Sequence, residues 1–235
     1  MTITSSHNDK LKEIRKLARR RRREDAARFV AEGEDLVAAA ASAGWSPLVL
    51  LSAAGSGLAG DEVEGSLLAS VSALGSGSRQ LAVYPSRWSA PAGPLCVALW
   101  GVGDPGNVGA VLRSALAFGA SSVALGPGCA DPFGPKAVRA SMGAIFQVPV
   151  ARVSSLDELP GERLALVGGA GEPLSGPAEG ELTIVVGAER EGLAADVVAA
   201  CDRVAHIPIL SESLNAAMAA AIALYELTSG VLPDV

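Results

Sequence analysis

Three short segments in the second half of the chain place small polar or charged residues within otherwise apolar surroundings. They are Asn107–Arg113, Gly187–Leu193 and Ile207–Asn215. Each lies at a predicted strand end or helix start, which is where open α/β sheets bind their ligands. Backbone N–H groups, amides and a guanidinium at such places can bind phosphate or ribose oxygens. The segments therefore indicate a site for a substrate that carries phosphate or sugar.

The first segment follows the turn Asp104-Pro-Gly-Asn107, and we expect Asn107 to cap the helix that begins there. Arg113 comes six positions later, nearly two turns along, so its long side chain can reach back towards the start of the helix. Helix N–H groups, the Asn107 amide and the guanidinium would then meet at one point. Alternatively, Asn107 is only a cap and Arg113 only a solvated helix residue.

The second segment begins with Gly187-Ala-Glu189, directly after the apolar run Leu182–Val186. An acid at the end of a buried parallel strand lies at the ligand-binding edge of the sheet. Alternatively, Glu189 starts the next helix, where the helix dipole favours an acid.

In the third segment, Pro208 ends a strand and a helix is predicted to begin at Ser211 or Ser213. Ser213 and Asn215 could bind a ligand or could be simple caps. The alanine-rich run that follows permits a close backbone approach, either beneath a cofactor or at a tight helix pairing. His206 stands alone, without neighbours at metal-ligand spacing, and is predicted to be structural.

The run Gly101-Val-Gly-Asp-Pro-Gly106 matches the glycine pattern of dinucleotide-binding folds. Those folds place an acidic residue about 20 positions later, at the tip of the second strand. Here that strand ends in Leu125-Gly-Pro-Gly128, and Pro105 stiffens the turn. A nicotinamide cofactor is therefore disfavoured.

Strands and helices alternate from residue 95 onwards, and continuous apolar strands predict a parallel sheet covered on both faces. The predicted strands are Leu95–Trp100, Ser122–Leu125, Gln147–Val150, Leu164–Val167, Leu182–Val186 and Arg203–Ile207. The predicted helices are Val108–Phe118, Lys136–Ala144, Ala194–Ala200 and Glu212–Thr228.

A smaller α/β unit is predicted before the proline-rich linker Pro85–Pro94, which marks a boundary. Its predicted elements are a basic helix over about residues 9–24, an extended segment at Arg28–Val30, a helix at Leu36–Ala43, strands at Pro47–Leu51 and Gln80–Tyr84, and a helix at Asp61–Leu74. The predicted domains are a basic helical extension over 1–24, a substrate-binding domain over 25–85, a linker over 86–93 and a catalytic domain over 94–235.

The net charge of −6 conceals an uneven distribution. Between Lys10 and Arg28 there are ten Lys and Arg residues against three acids, a net charge of +7, so the rest of the chain carries −13. A concentrated basic segment on an acidic body indicates a polyanion such as RNA. A solvated helix or a disordered arm is the alternative. The residues predicted to contact RNA are Lys12, Arg15, Lys16, Arg19, Arg20, Arg22 and Arg23.

No apolar run reaches the roughly 20 residues that a membrane-spanning helix needs, and the first residues do not resemble a secretory signal. Cys96, Cys129 and Cys201 are odd in number and widely spaced, which predicts reduced thiols rather than disulfides or a metal site. A cytoplasmic protein without metal is therefore expected.

Taken together, the three segments resemble the motifs of the SpoU (TrmH) family of RNA ribose 2'-O-methyltransferases. The family patterns are N-x-G-x-x-x-R, G-(N/A)-E followed by G-(L/M), and I-P with a later S-L-N, and the key positions match here. The resemblance covers roughly residues 93 to 228, with a fainter stretch at Arg28–Val37. One departure is the link Leu210-Ser211, which is about two residues shorter than in relatives and leaves the cofactor contacts around Ile209–Ser211 open.

The resemblance implies an α/β fold whose C-terminal parallel-sheet domain is tied in a deep trefoil knot. It also implies a preceding domain that is similar to a ribosomal-protein fold, and a homodimer. S-adenosyl-L-methionine would rest on the backbone at Gly187, Ile207 and Leu214. The implied catalytic centre comprises Asn107, Arg113, Glu189, Ser213 and Asn215.

The resemblance implies methyl transfer to a ribose 2'-hydroxyl in structured RNA, with ribosomal RNA favoured over transfer RNA. A guanidinium does not ordinarily act as a base, so Arg113 is expected to bind the adjacent phosphate and stabilise developing alkoxide charge. A deprotonated Arg113 is the alternative. The competing functions are a non-catalytic RNA-binding protein of the same fold and, more remotely, an NAD-dependent oxidoreductase.

Overall fold

Two β-sheets organise the protein in the computed structural model, which describes residues 2–73, 77–188, 190–211 and 213–230. The first part contains α1 (Asp9–Leu17), α2 (Arg20–Ala26), β1 (Arg28–Glu32), α3 (Glu34–Ser42), β2 (Val49–Ala53), β3 (Asp61–Val63), α4 (Gly65–Ala69) and β4 (Gln80–Pro85). The second part contains β5 (Leu95–Leu99), α5 (Pro105–Ala117), β6 (Ser122–Leu125), α6 (Pro135–Ala140), β7 (Val150–Arg152), β8 (Glu162–Leu166), β9 (Glu172–Pro173), β10 (Leu182–Val186), α7 (Ala195–Ala199), β11 (Arg203–His206) and α8 (Ala216–Thr228).

The basic N-terminal segment forms two helices instead of the single helix predicted over residues 9–24. Asn8 caps α1, and the chain becomes extended at Arg19 before α2 begins. Leu11, Ile14 and Leu17 are buried in the core of the first sheet. The apolar stripe therefore holds this segment against the rest of the N-terminal part.

The first sheet has the strand order β1-β4-β2-β3 and is mixed. β4 is antiparallel to both β1 and β2, whereas β2 and β3 are parallel. The helix predicted over Asp61–Leu74 is wrong at its start, because Asp61–Val63 pairs with Leu51–Ala53 and only Gly65–Ala69 is helical. The predicted end of that helix, Leu74, lies outside the described residues.

The second sheet confirms the predicted parallel α/β architecture. Its strand order is β7-β6-β5-β10-β8-β11-β9, and every neighbouring pair is parallel. The chain runs outward from β5 in one direction through β6 and β7, then crosses to the other side. β5 and β10 therefore meet where the direction of winding reverses, which is the usual ligand site of such sheets.

Two predicted elements of this sheet are displaced along the chain. The strand predicted over Gln147–Val150 begins only at Val150 and runs to Arg152, and a short 3-10 helix at Ala144–Phe146 ends directly before the predicted start. The helix predicted over Lys136–Ala144 ends at Ala140, and Met142 and Gly143 follow with positive φ. The sequence does not predict β9, which pairs only at the edge, with β11.

An aromatic cluster joins the two parts of the chain. Phe29, Trp45 and Tyr84 from the first part lie against Phe133 and Phe146 from the second, with ring centroids 5.0–5.8 Å apart in the cross-boundary pairs. The Trp45 indole also donates a hydrogen bond to the Phe146 carbonyl at 2.7 Å. Because Trp45 is 8% exposed, this bond satisfies an otherwise buried donor.

The linker is attached to the second sheet. The Ser89 N–H donates to the Val150 carbonyl at 2.8 Å, and the Ser122 hydroxyl bonds both the amide and the carbonyl of Ala92. The positions of the domain boundaries remain a prediction.

Among the described residues, no helix is long and apolar enough to cross a membrane. All three cysteines are free thiols, and burial raises the pKa of Cys96 and Cys201.

Candidate functional site

The first motif lies at the start of α5, immediately after the carboxyl end of β5. Asp104 is the N-cap, and its carboxylate accepts a hydrogen bond from the Asn107 N–H at 2.9 Å. Pro105 occupies the first turn, where its missing N–H costs nothing. The prediction that Asn107 caps this helix is therefore wrong. Because Asp104 fills the capping role, the Asn107 side chain contacts the third motif instead.

Gly109, at the centre of the first motif, serves helix packing. A Cβ at this position would lie 2.4 Å from the Ala137 carbonyl oxygen and 2.6 Å from the Ala140 Cβ. Only glycine lets α6 approach α5 this closely. The motif glycine thus sets the position of the helix that carries Asn107 and Arg113.

The Arg113 side chain is exposed on α5, whereas Leu112 and Ala115, close to it in the same helix, are buried. It forms no hydrogen bond or ion pair with another residue in the described part of the chain. A guanidinium on the exposed side of a helix can reach the phosphate of an external ligand.

The third motif meets the first through two side-chain amides. The Asn215 Nδ2 donates to the Asn107 Oδ1 at 3.1 Å. Asn215 is also the N-cap of α8, because its Oδ1 accepts from the Ala217 and Met218 N–H groups at 3.0 and 3.3 Å. The helix predicted to begin at Ser211 or Ser213 therefore begins at Ala216. Its predicted first residue, Glu212, lies outside the described residues.

The second motif forms a tight turn after β10. Ala188 and Gly192 pair as an antiparallel bridge with hydrogen bonds of 3.2 and 3.0 Å. A Cβ at Gly187 would lie 2.3 Å from the Gly192 carbonyl carbon, so this turn can close only on a glycine. Glu189, the predicted acid of this motif, lies outside the described residues.

The three predicted cofactor residues line one cavity of about 300 Å³ at the carboxyl edge of the sheet. Gly187, Ile207 and Leu214 all contribute to it, and so does Ser213. The loop after β8 forms a further wall with Leu166, Val167 and Gly168. Sequence analysis missed this wall, although small residues directly after a buried strand are the signal that could have identified it.

This cavity suits an elongated ligand with both polar and apolar groups. Its walls combine aliphatic side chains with the polar side chains of Arg190, Glu191 and Ser213, and glycines at 168, 187 and 192 keep the backbone accessible. About 300 Å³ is the lower end of the range for small-molecule sites. The residues present therefore fit a nucleoside-containing cofactor such as S-adenosyl-L-methionine. No group of three His, Cys, Asp or Glu residues within the described ranges could hold a metal ion.

The basic N-terminal segment presents six of the seven predicted RNA contacts to solvent: Lys12, Arg15, Lys16, Arg19, Arg20 and Arg22. The prediction is wrong for Arg23, which is 6% exposed. Its Nε and one terminal nitrogen bond the Asp131 carboxylate at 2.9 and 2.7 Å, and the other bonds the Leu17 and Ala18 carbonyls. Arg23 therefore binds the N-terminal helices to the second part of the chain.

Comparison with protein families gives two matches. The model of the SpoU rRNA methylase family matches residues 94–225, more than half of the chain, and an MRM3-like substrate binding domain matches residues 8–74. The chain is 38% identical over 135 residues to the 23S rRNA (guanosine(2553)-2'-O)-methyltransferase RlmP of Bacillus subtilis (strain 168). The aligned region covers 54% of each protein. An uncharacterized tRNA/rRNA methyltransferase of Mycobacterium bovis is 37% identical over 159 residues, covering 61% of this chain and 55% of that protein.

The chain spans about half the length of these curated relatives, but it matches solved structures over nearly its whole length. An AdoMet-bound rRNA methyltransferase from Sinorhizobium meliloti aligns with a TM-score of 0.87 and 27% identity over 99% of both chains. The SpoU methyltransferase AviRb from Streptomyces viridochromogenes, in complex with AdoMet, aligns with a TM-score of 0.83 and 25% identity over 94% of this chain and 97% of that one. With its three motifs gathered at one edge of a parallel sheet, the chain belongs to the SpoU rRNA methylase family.

Proposed function

We propose that this protein transfers a methyl group from S-adenosyl-L-methionine to a ribose 2'-hydroxyl in structured RNA, with ribosomal RNA the favoured substrate. The observation that carries the proposal is the 3.1 Å contact between Asn107 and Asn215. It joins the first motif to the third directly beside Leu214 and Ala216, which line the cavity that fits the cofactor.

The bound cofactor would supply an electrophilic methyl group on a sulfonium. We propose that backbone at Gly187, Ile207 and Leu214 holds it, so that its position is set by three loops of the rigid sheet. Positioning of this kind accounts for much of the acceleration of an in-line transfer. Because a sulfonium methyl group is already activated, we also propose that the reaction needs no metal.

Arg113 is proposed to bind the phosphate beside the target ribose and to stabilise the negative charge that develops on its 2'-oxygen. Its exposure is consistent with contact to a large substrate. Asn107 and Asn215 would hold the start of α5 against the cofactor loop, and Glu189 would orient Arg113. Ser213 would contact the ribose or the cofactor from the cavity wall.

Ribosomal RNA is favoured because two of the similar proteins are named as rRNA methyltransferases. RlmP is a 23S rRNA methyltransferase by name, and the Sinorhizobium meliloti protein is an rRNA methyltransferase. The match to an MRM3-like substrate binding domain and the exposed basic helices support an RNA-binding role for the N-terminal part, which we propose resembles a ribosomal-protein fold. We place its activity in the cytoplasm, where such relatives would meet the ribosome.

We further propose that the C-terminal segment is knotted and that the protein is a homodimer. Ile207, Ile209, Ser213 and Leu214 line the same cavity as the loops after β8 and β10, and α8 packs against both α5 and β10, as a threaded segment would. The outer faces of α5 and α8 expose Leu116, Met218, Ile222 and Tyr225 at 38–62%. An exposed apolar surface of this kind suits an interface between two copies.

Two measurements test the proposed activity. Calorimetry should detect binding of S-adenosylhomocysteine and no binding of NAD. Mapping of ribose methylation in total RNA, from cells with and without the gene, should then reveal one site that depends on the protein. Binding of NAD alone, or an unchanged methylation map, would overturn the proposal.

A further inference from the structure

A second cavity lies at the same carboxyl edge of the parallel sheet, on the far side of β5 from the cofactor cavity. Its volume is about 440 Å³. Four separate segments line it: α2, the linker, the loop after β6 and the segment after β7. None of the three motifs contributes to it, so the proposed methyl transfer does not account for it.

One wall of this cavity is an arginine stacked on a tryptophan. The Arg152 guanidinium lies 4.4 Å from the centroid of the Trp88 ring, and Trp88 is 39% exposed. Phe133 also packs against Trp88 in an edge-on arrangement, with ring centroids 5.1 Å apart. The neighbouring Ser89 is hydrogen-bonded to Val150, which fixes the linker backbone at this point. The wall is therefore a braced, planar and cationic surface.

Two arginines, Arg20 and Arg152, line this cavity together with Glu158, whose carboxylate already accepts hydrogen bonds from Ser154 and from the Ser155 N–H. Arg20 and Arg152 both bond the same Glu24 oxygen, at 3.2 and 3.4 Å, so two guanidinium groups share one carboxylate. All three side chains are 41–54% exposed, and ion pairs this exposed are weak. A phosphate can therefore bind one of the arginines in place of Glu24 with little loss of stability of the fold.

The floor of the cavity is flat and apolar, because Leu125 is followed by Gly126, Pro127 and Gly128. A Cβ at Gly126 would lie 2.2 Å from the Trp100 ring, so this surface can carry no larger residue there. Hydrogen bonds of 2.9–3.0 Å connect the floor to the loop that leads into α5: Gly126 N to Leu99 O, Gly101 N to Pro127 O, and Ala130 N to Val102 O. The cavity is thereby attached to the loop that positions the first motif.

We propose that this cavity binds a nucleobase of the substrate RNA, stacked on the Arg152–Trp88 pair, with its phosphate held by Arg20. The proposal rests on the proposed function and adds a subsite to it. A planar base matches the flat floor and the stacking surface, which is the usual way that proteins hold unpaired RNA bases. An apolar metabolite would make no use of Arg20 and Arg152.

The spacing of the β-strands indicates how far this base would lie from the methylated nucleotide. The second cavity is centred near β6 and β7, and the cofactor cavity near β10 and β8. Three β-strand spacings of about 4.8 Å, roughly 15 Å in total, separate the two cavities. Single-stranded RNA covers such a distance in a few nucleotides. The base would thus be close in sequence to the methylated nucleotide, and reading it would help to select the target.

The test compares two RNA probes: a decamer of uridylate, and a decamer of the same ribose phosphates without bases. We expect wild-type protein to bind decauridylate about tenfold more tightly than the abasic decamer at the same salt concentration. Trp88→Leu should bring the ratio of the two affinities close to one, while changing the affinity for the abasic decamer by less than about twofold. Arg152→Gln should reduce the ratio as well and should also weaken abasic binding.

Two variants serve as controls. Glu24→Gln should tighten binding of both decamers, because it releases two arginines, and should leave their ratio unchanged. Arg203→Gln removes an exposed, ion-paired arginine elsewhere on the sheet and should leave the affinity for both decamers unchanged. Equal melting temperatures would establish that the variants are folded. A wild-type ratio of one, or an unchanged ratio in both Trp88→Leu and Arg152→Gln, would overturn the proposal.

Failure of this subsite is distinguishable from failure of the proposed function. S-adenosylhomocysteine binding, measured by calorimetry in the same variants, reports on the cofactor cavity alone and should be unchanged. Decauridylate containing 5-iodouridine should cross-link to Trp88 under ultraviolet light. Cross-links confined to residues 9–18, which do not line the cavity, would count against it even if methyl transfer is intact.

Discussion

Asn215 performs two functions with the two ends of one amide. Its oxygen caps α8 and its nitrogen donates to Asn107. Because the two contacts use different atoms, they can be separated by substitution. This makes Asn215 the most informative position at which to test whether the contact between the first and third motifs matters for activity.

Asn215→Asp should retain stability and lose activity, because a carboxylate caps a helix as well as an amide does but cannot donate to Asn107. Asn215→Ala should remove both the cap and the bond to Asn107, and should lower stability by about 1 kcal/mol. Thermal unfolding and methyl-transfer assays of the two variants side by side would check this. Full activity in Asn215→Asp would show that the bond to Asn107 is dispensable.

Arg113 is the residue from which we expect the largest loss of rate. Arg113→Ala should lower methyl transfer by on the order of 10²-fold, as when one charge-stabilising donor is removed, while cofactor affinity stays nearly unchanged. Arg113→Lys should rescue poorly, because an ammonium lacks the planar fork of a guanidinium. Arg203→Ala, an exposed arginine outside the site, is the matched control. Turnover near wild type by Arg113→Ala at saturating RNA would contradict this role.

Individual residues also show where sequence reasoning reaches its limit. The identities and order of the motif residues were sufficient to place Gly187, Ile207 and Leu214 around one cavity. Arg23 was indistinguishable from its neighbours in a run of arginines, since its partner Asp131 is 108 positions away. Asn107 and Asp104 both suit an N-cap, and only the backbone shows that Asp104 holds that position.

At the scale of elements, we propose that the basic N-terminal segment uses its exposed arginines to bind RNA and Arg23 to hold the structure together. Neutralising Arg19, Arg21 and Arg22, which are exposed, should weaken RNA binding to a similar extent for all sequences. The salt dependence should also flatten, by about 0.7–0.9 in log–log slope for each phosphate that the protein no longer neutralises. Fluorescence titrations over a series of salt concentrations would measure this. An unchanged slope would remove these helices from the RNA-binding surface.

Arg23→Gln should behave in the opposite way. It leaves the Asp131 carboxylate buried without its cation, which typically costs about 3–5 kcal/mol. Denaturant unfolding should therefore show a large loss of stability, with little change in the salt slope of RNA binding. A stability equal to that of wild type would mean that the buried pair contributes nothing.

The pairing of β8 with β11 is reinforced by a surface ion pair that responds to acid. Arg163 donates three hydrogen bonds to Asp202 at 2.8–3.0 Å and lowers the pKa of that carboxyl from 3.8 to about 2. A lowered pKa stabilises the fold fully above about pH 4, and the contribution disappears as the pH falls towards 2. Asp202→Asn should therefore lower the melting temperature at pH 6 and not near pH 2. Asp25→Asn, an exposed acid on α2, should show no such difference.

The central strands β5, β6 and β10 of the parallel sheet were predictable because each is a nearly continuous apolar run. Ser122–Leu125 and Leu182–Val186 have the predicted bounds. Elements that depend on partners were not predictable. Asp61–Val63 is polar at two of three positions and forms a strand only because β2 offers it a free edge. The break at Ala18–Arg19 likewise has no breaker residue, and it allows Arg23 to bond the Leu17 and Ala18 carbonyls.

At the scale of the whole molecule, the proposed dimer is open to a direct test. Tyr225 on α8 is 62% exposed and contacts Phe118 at the end of α5, with ring centroids 6.1 Å apart. Tyr225→Asp should place a charge in the proposed interface and shift the protein towards monomer. Leu48→Asp, at a similarly exposed apolar residue in the N-terminal part, should leave the mass unchanged. Sedimentation at micromolar concentration would decide, and a monomeric wild type would exclude the dimer.

The aromatic cluster shared by the two parts of the chain limits how this protein can be recombined with its relatives. A chimera joined within the linker would separate Phe29, Trp45 and Tyr84 from Phe133 and Phe146, and would leave the Trp45 indole without its acceptor. An exchanged RNA-binding half would therefore fold properly only if residues 129–146 of the recipient were exchanged with it. Exchanging the N-terminal part by grafting thus requires a crossover inside the second part of the chain, between Phe146 and β7.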